Sequence, residues 1–297
     1  MKRPKFIQDM FNLIRFTAFK IRPEAILKIE FKRHAGYKLN VKNPQTFNEK
    51  LQWLKLNWYD PNATICADKY SVRKFVEDRG LGHLLNDLYG VYDNVDDINI
   101  DSLPSEFVMK VTHGCGQNLI CTDKSKFNWG TEKKMFNKWL KISHYYDSLE
   151  WVYRDIKPRI IVEKLIKTND EKCPKDYKIF CFNGEPKCLF VATDRGEHTT
   201  KFDFYDLEWN HLTVKNHYPN SGEILIRPKE LNEILEYSKI LSKGFPHVRV
   251  DFYIENNKVI FGECTFFHFS GSEPYEPMKF DYEMGKYLKL PKKKATI

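Results

Sequence analysis

The stretch that most constrains the fold is RVDFYIENNKVIFGECTFFHFSG, residues 249 to 271. Two β-rich runs, VRVDFYI and VIFGECTF, flank the polar run Glu255-Asn256-Asn257-Lys258, which reads as a tight hairpin turn. Side chains alternate along a strand, so Arg249 and Asp251 share one face while Val248, Val250 and Phe252 take the other. The return strand brings Glu263 towards Asp251. Carboxylates rarely sit in so apolar a hairpin unless they are paired or hold a metal. Two of them face to face repel unless a cation lies between, and an all-oxygen pair suits magnesium, which takes one or two carboxylates with phosphate oxygens. The plainer alternative is an edge hairpin whose charged side is wet.

Upstream, NPQTFNEKLQWLKLNWYDP reads as a helix. Thr46 or Asn43 caps it, Glu49 forms a capping box with Thr46, and Phe47, Leu51, Leu54 and Trp58 fall on one stripe. DKYSVRKFVEDRGLGHLL reads as a second helix that stops at Gly80 and Gly82. Strands are expected in LYGVYDNVDDI, on both sides of the loop in SLPSEFVMKVTHGCGQNLICTD, and in RIIVEKLI, DYKIFCFNGEPKCLFVATDR and KFDFYDLEW. A helical stretch from about 126 to 152 and the helix PKELNEILEYSKILSKGF come between them. Helices first, then hairpin-connected strands with helices interspersed, indicate an α+β protein. Residues 1–64 form a helical N-terminal region and 291–297 a basic tail.

A chain of 297 residues that is 42% hydrophobic and 30% charged has the material for a large core, and disorder is not indicated. No window reads as a membrane-spanning helix or secretory signal, so a cytoplasmic location is expected. Seven cysteines, an odd number without C-x-x-C, point to reduced thiols rather than a disulfide frame or zinc site. The net charge of +8 lies largely at the two ends. It is too diffuse for a sequence-reading nucleic-acid domain and no such motif is present, but it favours anionic substrates such as nucleotides or acidic glycans. The basic, partly apolar N-terminus either packs on its own domain or lies on an anionic membrane surface.

Two other stretches carry candidate chemistry. In FVMKVTHGCGQNLI a strand delivers Lys110 to a loop containing Gly114 and Gly116. Glycines two apart let backbone N–H groups approach a phosphate, to which lysine adds a fixed charge, although a plain hairpin loop has the same pattern. In RIIVEKLIKTNDE an apolar strand ends at Glu163-Lys164-Leu165-Ile166, where backbone groups can pair with an adenine edge and Glu163, Asp170 or Glu171 can reach ribose hydroxyls. An ordinary exposed strand end reads the same way.

The order of these pieces resembles that of ATP-grasp enzymes: lysine then glycine loop, strand then E-K-L-I, D-Y-K in a further strand, then R-x-D and E-x-T on a hairpin. The resemblance covers roughly residues 65–290. More narrowly, FNEKLQWLKL, DKYSVRKFV, FVMKVTHGCGQN, DYKIFCFNGEP and RVDFYIENNKVIFGECTF resemble the branch typified by TupA, linked to teichuronopeptide and to bacterial capsule or O-antigen biosynthesis.

The resemblance implies an ATP-grasp fold in which two α+β subdomains, about 100–165 and 166–290, clamp ATP with Mg²⁺. Lys110 would contact the α- and β-phosphates, the loop of His113, Gly114, Gly116, Gln117 and Asn118 would close over them, and Lys178 would be the second phosphate lysine. Lys164, Leu165 and Ile166 would bracket adenine, with Glu163 and Asp170 on the amino and ribose groups. Asp251 and Glu263 would hold Mg²⁺, and Arg249 would steady the transferring phosphoryl group. Thr265 stands where such enzymes commonly carry asparagine, a weaker ligand for a second magnesium. His268, Ser270 and Ser272 would lie on the acceptor side. The implied reaction is a carboxylate–amine ligation through an acyl phosphate, joining an amino acid or amino sugar to a uronic acid carboxylate of a surface glycan. An ATP-dependent sugar kinase, a glycosyltransferase and a nucleotide-binding scaffold without turnover are the alternatives. For the third, DFYD offers Asp203 and Asp206 but no D-x-D. A glycan-assembly or membrane contact through the basic N-terminus is the expected association.

Overall fold

The computed structural model describes residues 5–167, 174–194 and 199–293, with the backbone alone for 5–12 and 147. The chain opens with helices α1 (Lys5–Ile21), α2 (Pro23–Ala35), α3 (Phe47–Asn57), α4 (Pro61–Ala67) and α5 (Ser71–Glu77). Thr46 caps α3 and shares the expected capping box with Glu49. The stretch after it differs from the sequence reading. Asp60 caps and Pro61 opens a separate helix α4, and α5 ends at Glu77, well before Gly80.

Strands β1 (Leu88–Tyr92), β2 (Phe107–Val111) and β3 (Asn118–Cys121) come next, then α6 (Trp129–Trp139), α7 (His144–Ser148) and β4 (Ile160–Glu163). They form a four-stranded antiparallel sheet in the order β1-β4-β2-β3. Phe136 of α6 is buried with Phe107, Met109, Val111, Ile160 and Val162, which gives this sheet its own small core.

The second sheet has six strands: β5 (Asp176–Phe182), β6 (Glu185–Thr193), β7 (Lys201–Tyr205), β8 (His211–Leu212), β10 (His247–Glu255) and β11 (Lys258–Thr265), in the order β11-β10-β5-β6-β7-β8. The two-residue strands β9 (Lys215–Asn216) and β12 (Tyr275–Glu276) pair with each other, and helices α8 (Leu231–Ser242) and α9 (Met278–Tyr287) complete the chain. Helix α8 packs on β5, β6 and β10. On the face bearing Arg249, the ring of Phe47 lies 5.5 Å from that of Phe182 and 4.8 Å from that of His247, so α3 covers one end of the sheet. The other end, around Lys178 and Asp251, is left for polar groups. Residues of the N-terminal helices therefore share one core with the six-stranded sheet. Helix α9 lies so close to the start of α3 that a Cβ on Gly285 would meet the Gln45 carbonyl oxygen at 2.1 Å.

Candidate active site

The opening hairpin turns at Asn256 and Asn257, both with left-handed φ, of 51° and 60°, as a two-residue turn requires. From the turn the strands pair regularly, Glu255 with Lys258 through Phe252 with Phe261. One step further the register shifts, and Asp251 pairs with Glu263, Val250 with Cys264 and Arg249 with Thr265. Gly262 is the extra residue, a bulge where a Cβ would lie 3.0 Å from the Asp251 carbonyl oxygen. The bulge swings Glu263 and Thr265 onto the face of Arg249 and Asp251. On β5 the partner of Asp251 is Lys178.

These side chains form one network. Arg249 donates from Nε to Asp251 Oδ1 at 2.7 Å and from Nη2 to Asp251 Oδ2 at 2.7 Å. Its Nη2 also reaches Thr265 Oγ1 at 3.1 Å and Glu263 Oε1 at 3.4 Å. Lys178 donates to Asp251 and lies 2.6 Å from Asp176 Oδ2. Asp251 is 1% exposed, so its charge is sustained by these cations rather than by water. Burial lowers the Arg249 pKa, but the charges of Asp251 and Glu263 more than offset this and leave it above its ordinary value. Nη1 of Arg249 bonds His268 Nδ1 at 2.7 Å, and His268 Nε2 bonds Asn216 Oδ1 at 2.9 Å. Burial, with the Arg249 charge, pushes the His268 pKa well below 6.5, so the neutral ring accepts from arginine and donates to Asn216.

A cleft of about 200 Å³ runs between the two sheets, and Glu263 links it to this network. Its lining includes Lys69, Arg73, Lys110, Gln117, Glu163 and Tyr253. Lys110 donates to Glu163 Oε2 at 2.7 Å and Arg73 to Oε1 at 3.3 Å. A buried acid thus holds two cations at the cleft wall, an arrangement suited to a polyanion that competes for them.

A family model described as TupA-like ATPgrasp matches residues 49–289. The chain belongs to the TupA-like ATP-grasp family. The fold of this TupA-like protein is accordingly the α+β ATP-grasp fold, as expected from the sequence. It is distantly similar to D-alanine–D-alanine ligase from Bacillus anthracis complexed with ATP, at 16% identity and a TM-score of 0.41, over 68% of this chain and 55% of that one. The same enzyme from Helicobacter pylori gives 13% and 0.44, over 84% and 68%. The ATP-grasp ligase PsnB with its minimal precursor gives 8% and 0.39, over 69% and 53%. The chain spans between 53% and 56% of the length of the first three solved structures it matches. No curated protein matches it significantly.

Within the TupA-like protein, the cleft gathers Lys110, Gly116, Gln117, Asn118, Glu163, Ile166 and Glu263 among the residues expected from sequence. Lys178, Arg249, Asp251 and Thr265 form the network beside Glu263. Three expectations change. The His113 ring is buried and bonds the Ile142 carbonyl oxygen at 3.0 Å, so it anchors the glycine loop to the α6–α7 connection rather than facing the cleft. Lys164 donates its backbone N–H to Asp87 O at 2.9 Å and its carbonyl accepts from Asn86 Nδ2 at 2.8 Å. That N–H is therefore not offered to a base. Ser270 donates to Glu150, which turns its hydroxyl into the protein. Asp170 and Glu171 lie outside the described residues. Gly114 is crowded, with Gln117 Oε1 3.1 Å from where a Cβ would sit, and Lys69 donates to its carbonyl.

Sequence reasoning assigned no role to Lys69, Arg73, Asn86 or Asp176. The first two stand four apart in DKYSVRKFV, and that spacing was the available signal. Asp176 precedes Lys178 by two in a strand, which puts both on one face.

Asp251 and Glu263 also fit a divalent cation. The Asp251 carboxylate accepts three hydrogen bonds of the roughly four it can take, and Glu263 lies partly exposed at the cleft. Among the described residues no group of three or more His, Cys, Asp or Glu could hold a metal. That donor set suits magnesium, which completes its shell with phosphate oxygens and water.

Proposed function

We propose that this protein is an ATP-dependent carboxylate–amine ligase that uses Mg²⁺ and acts on a uronic acid unit in the assembly of a bacterial surface polysaccharide. The observation that carries this reading is the Arg249–Asp251–Lys178–Glu263 network at the end of a cleft walled by Lys69, Arg73 and Lys110. Asp251 and Glu263 would hold Mg²⁺, which neutralises charge on the phosphates. Lys110 and Lys69 bind the triphosphate, and Leu165 and Ile166 bracket the adenine. Arg249, held by Asp251 and His268, faces the reacting phosphoryl group. The substrate carboxylate attacks the γ-phosphorus, the bond to the β-phosphate oxygen breaks, and ADP leaves. The amine then attacks the acyl phosphate carbonyl, phosphate departs and the amine releases its proton, giving amide, ADP and inorganic phosphate.

Incubation with ATP, Mg²⁺, a uronic acid and hydroxylamine tests this reading, because hydroxylamine traps an acyl phosphate as a hydroxamate. Hydroxamate that requires all components and disappears in Arg249→Met supports the ligase. A phosphorylated sugar with no hydroxamate would make the protein a kinase instead.

A further inference from the structure

The hairpin of α1 and α2 carries a surface that the other described residues leave exposed. On α1, Phe16 and Phe19 are buried, and Phe16 packs its ring against Tyr145 and Tyr146 at 5.4 and 4.0 Å. On the other side Leu13, Ile14 and Ile21 are 65%, 57% and 73% exposed. At the helical repeat these three fall within an arc of about 100°. Thr17 shares the arc, but its hydroxyl donates to the Leu13 carbonyl oxygen at 2.9 Å and so is satisfied within the helix. On α2, Ile29 is 66% exposed, on the side away from the buried Leu27 and Phe31. Single exposed apolar residues are ordinary, whereas an uncovered stripe calls for a partner.

Charge identifies the partner. The first 34 residues hold nine Lys or Arg against three Asp or Glu. Of those acids Glu24 is paired with Lys28 at 2.6 Å and Glu30 with Arg15 at 3.1 Å. Lys20, Arg22, Lys32 and Arg33 remain exposed beside the stripe. A second copy of the chain would bring the same positive surplus and be repelled. No helix among the described residues is long and apolar enough to cross a membrane.

We infer that the α1–α2 hairpin is an interfacial anchor that seats the protein on an anionic lipid bilayer. Leu13, Ile14, Ile21 and Ile29 enter the boundary between headgroups and acyl chains, and the lysines and arginines meet the headgroups. The inference stands apart from the ligase reading, because none of these residues lies in the cleft.

Flotation of the full chain with vesicles of phosphatidylglycerol and phosphatidylcholine, and with phosphatidylcholine alone, tests it. The chain floats with the anionic vesicles and not the neutral ones, and added salt weakens the binding. The triple variant Leu13→Ser, Ile14→Ser, Ile21→Ser partitions about tenfold or more less while melting unchanged. The variant Lys32→Glu, Arg33→Glu loses binding to the anionic vesicles as well. Absence of flotation, or flotation that the triple variant keeps, overturns the assignment. So does a concentration-dependent dimer in sedimentation that the triple variant abolishes, since the stripe would then be covered by a second copy.

Discussion

Glu263 stands directly across the hairpin from Asp251, and the bulge that takes up Gly262 is what keeps it there. Counted from the two-residue turn without a bulge, Gly262 would oppose Asp251, and Glu263 would oppose Val250 on the other face. Deleting Gly262 therefore restores regular pairing with Glu263 still opposite Asp251 and Thr265 still opposite Arg249, so both stay on the face of the site. The deletion is expected to keep stabilisation by Mg²⁺-ATP. The milder Gly262→Ala, whose methyl crowds the Asp251 carbonyl, is expected to cost about 1–3 kcal/mol. Urea unfolding with and without nucleotide reads both effects.

The buried ion network predicts an asymmetry between breaking and replacing it. Asp251→Asn leaves Arg249 and Lys178 buried with less compensating charge and is expected to lose about 3–5 kcal/mol. The double variant Arg249→Met, Asp251→Leu is expected to lose much less than the sum of its singles. Urea midpoints of the four proteins in a double-mutant cycle measure the coupling, and additive losses would contradict the pairing.

His268 is placed to hold Arg249 as a neutral acceptor, and proton transfer by it is not expected. His268→Ala strips Arg249 Nη1 of its acceptor and Asn216 of its donor, at a cost of about 1–3 kcal/mol. Turnover is expected to fall by about tenfold or more with the KM for ATP nearly unchanged. The wild-type pH–rate profile will show no step from this ring near its ordinary pKa, since its pKa lies well below that value. A step near pH 6.5 that vanishes in His268→Ala would make it a base instead.

Beneath the acceptor loop, Lys55 and Glu150 are buried as near neighbours, with Lys55 donating to Ser270 O at 2.9 Å and Ser148 O at 3.1 Å. Burial raises the Glu150 pKa to about 7 against the opposing charge of Lys55. Burial likewise lowers that of Lys55 to about 8 despite Glu150. The Glu150 carboxyl holds its proton more tightly folded than unfolded, so its contribution to stability falls as pH rises from about 4.5 to about 7. Lys55 holds its proton less tightly folded, so its contribution rises as pH goes from about 8 to about 10.5. Together they place a stability minimum between those ranges. Glu150→Gln removes the acid limb and Lys55→Met the alkaline one, as urea midpoints across pH at fixed ionic strength will show.

The hairpin was legible in the sequence because alternation and an Asn-Asn turn leave few other readings. The bulge at Gly262 was not, since a glycine in a strand does not announce whether it shifts the register. Lysine followed by a glycine loop was equally visible between β2 and β3. His113 came with its loop from the resemblance, whereas the packing of α6 and α7 decides where the ring goes. Helix α4 went unread although Asp60-Pro61 is an N-cap followed by a proline at the first helical position. Arg73 and Asn86 reach the cleft only because α5 and the segment before β1 fold against the end of β4, a contact between residues 73 and 163 that no local pattern encodes.

The cleft between the sheets is expected to bind Mg²⁺-ATP through the hairpin carboxylates. Thermal unfolding with Mg²⁺-ATP, with ATP alone and with Mg²⁺-UDP-sugars tests it most directly, in the wild type and in Glu263→Gln, which keeps the size of the side chain. At a hundred times the dissociation constant, binding adds about 2.7 kcal/mol of apparent stability, a readable shift. ATP is expected to stabilise the wild type only with magnesium, and Glu263→Gln to lose the effect. Stabilisation by a UDP-sugar and not by ATP, or a magnesium-dependent ATP effect that survives in Glu263→Gln, would contradict it.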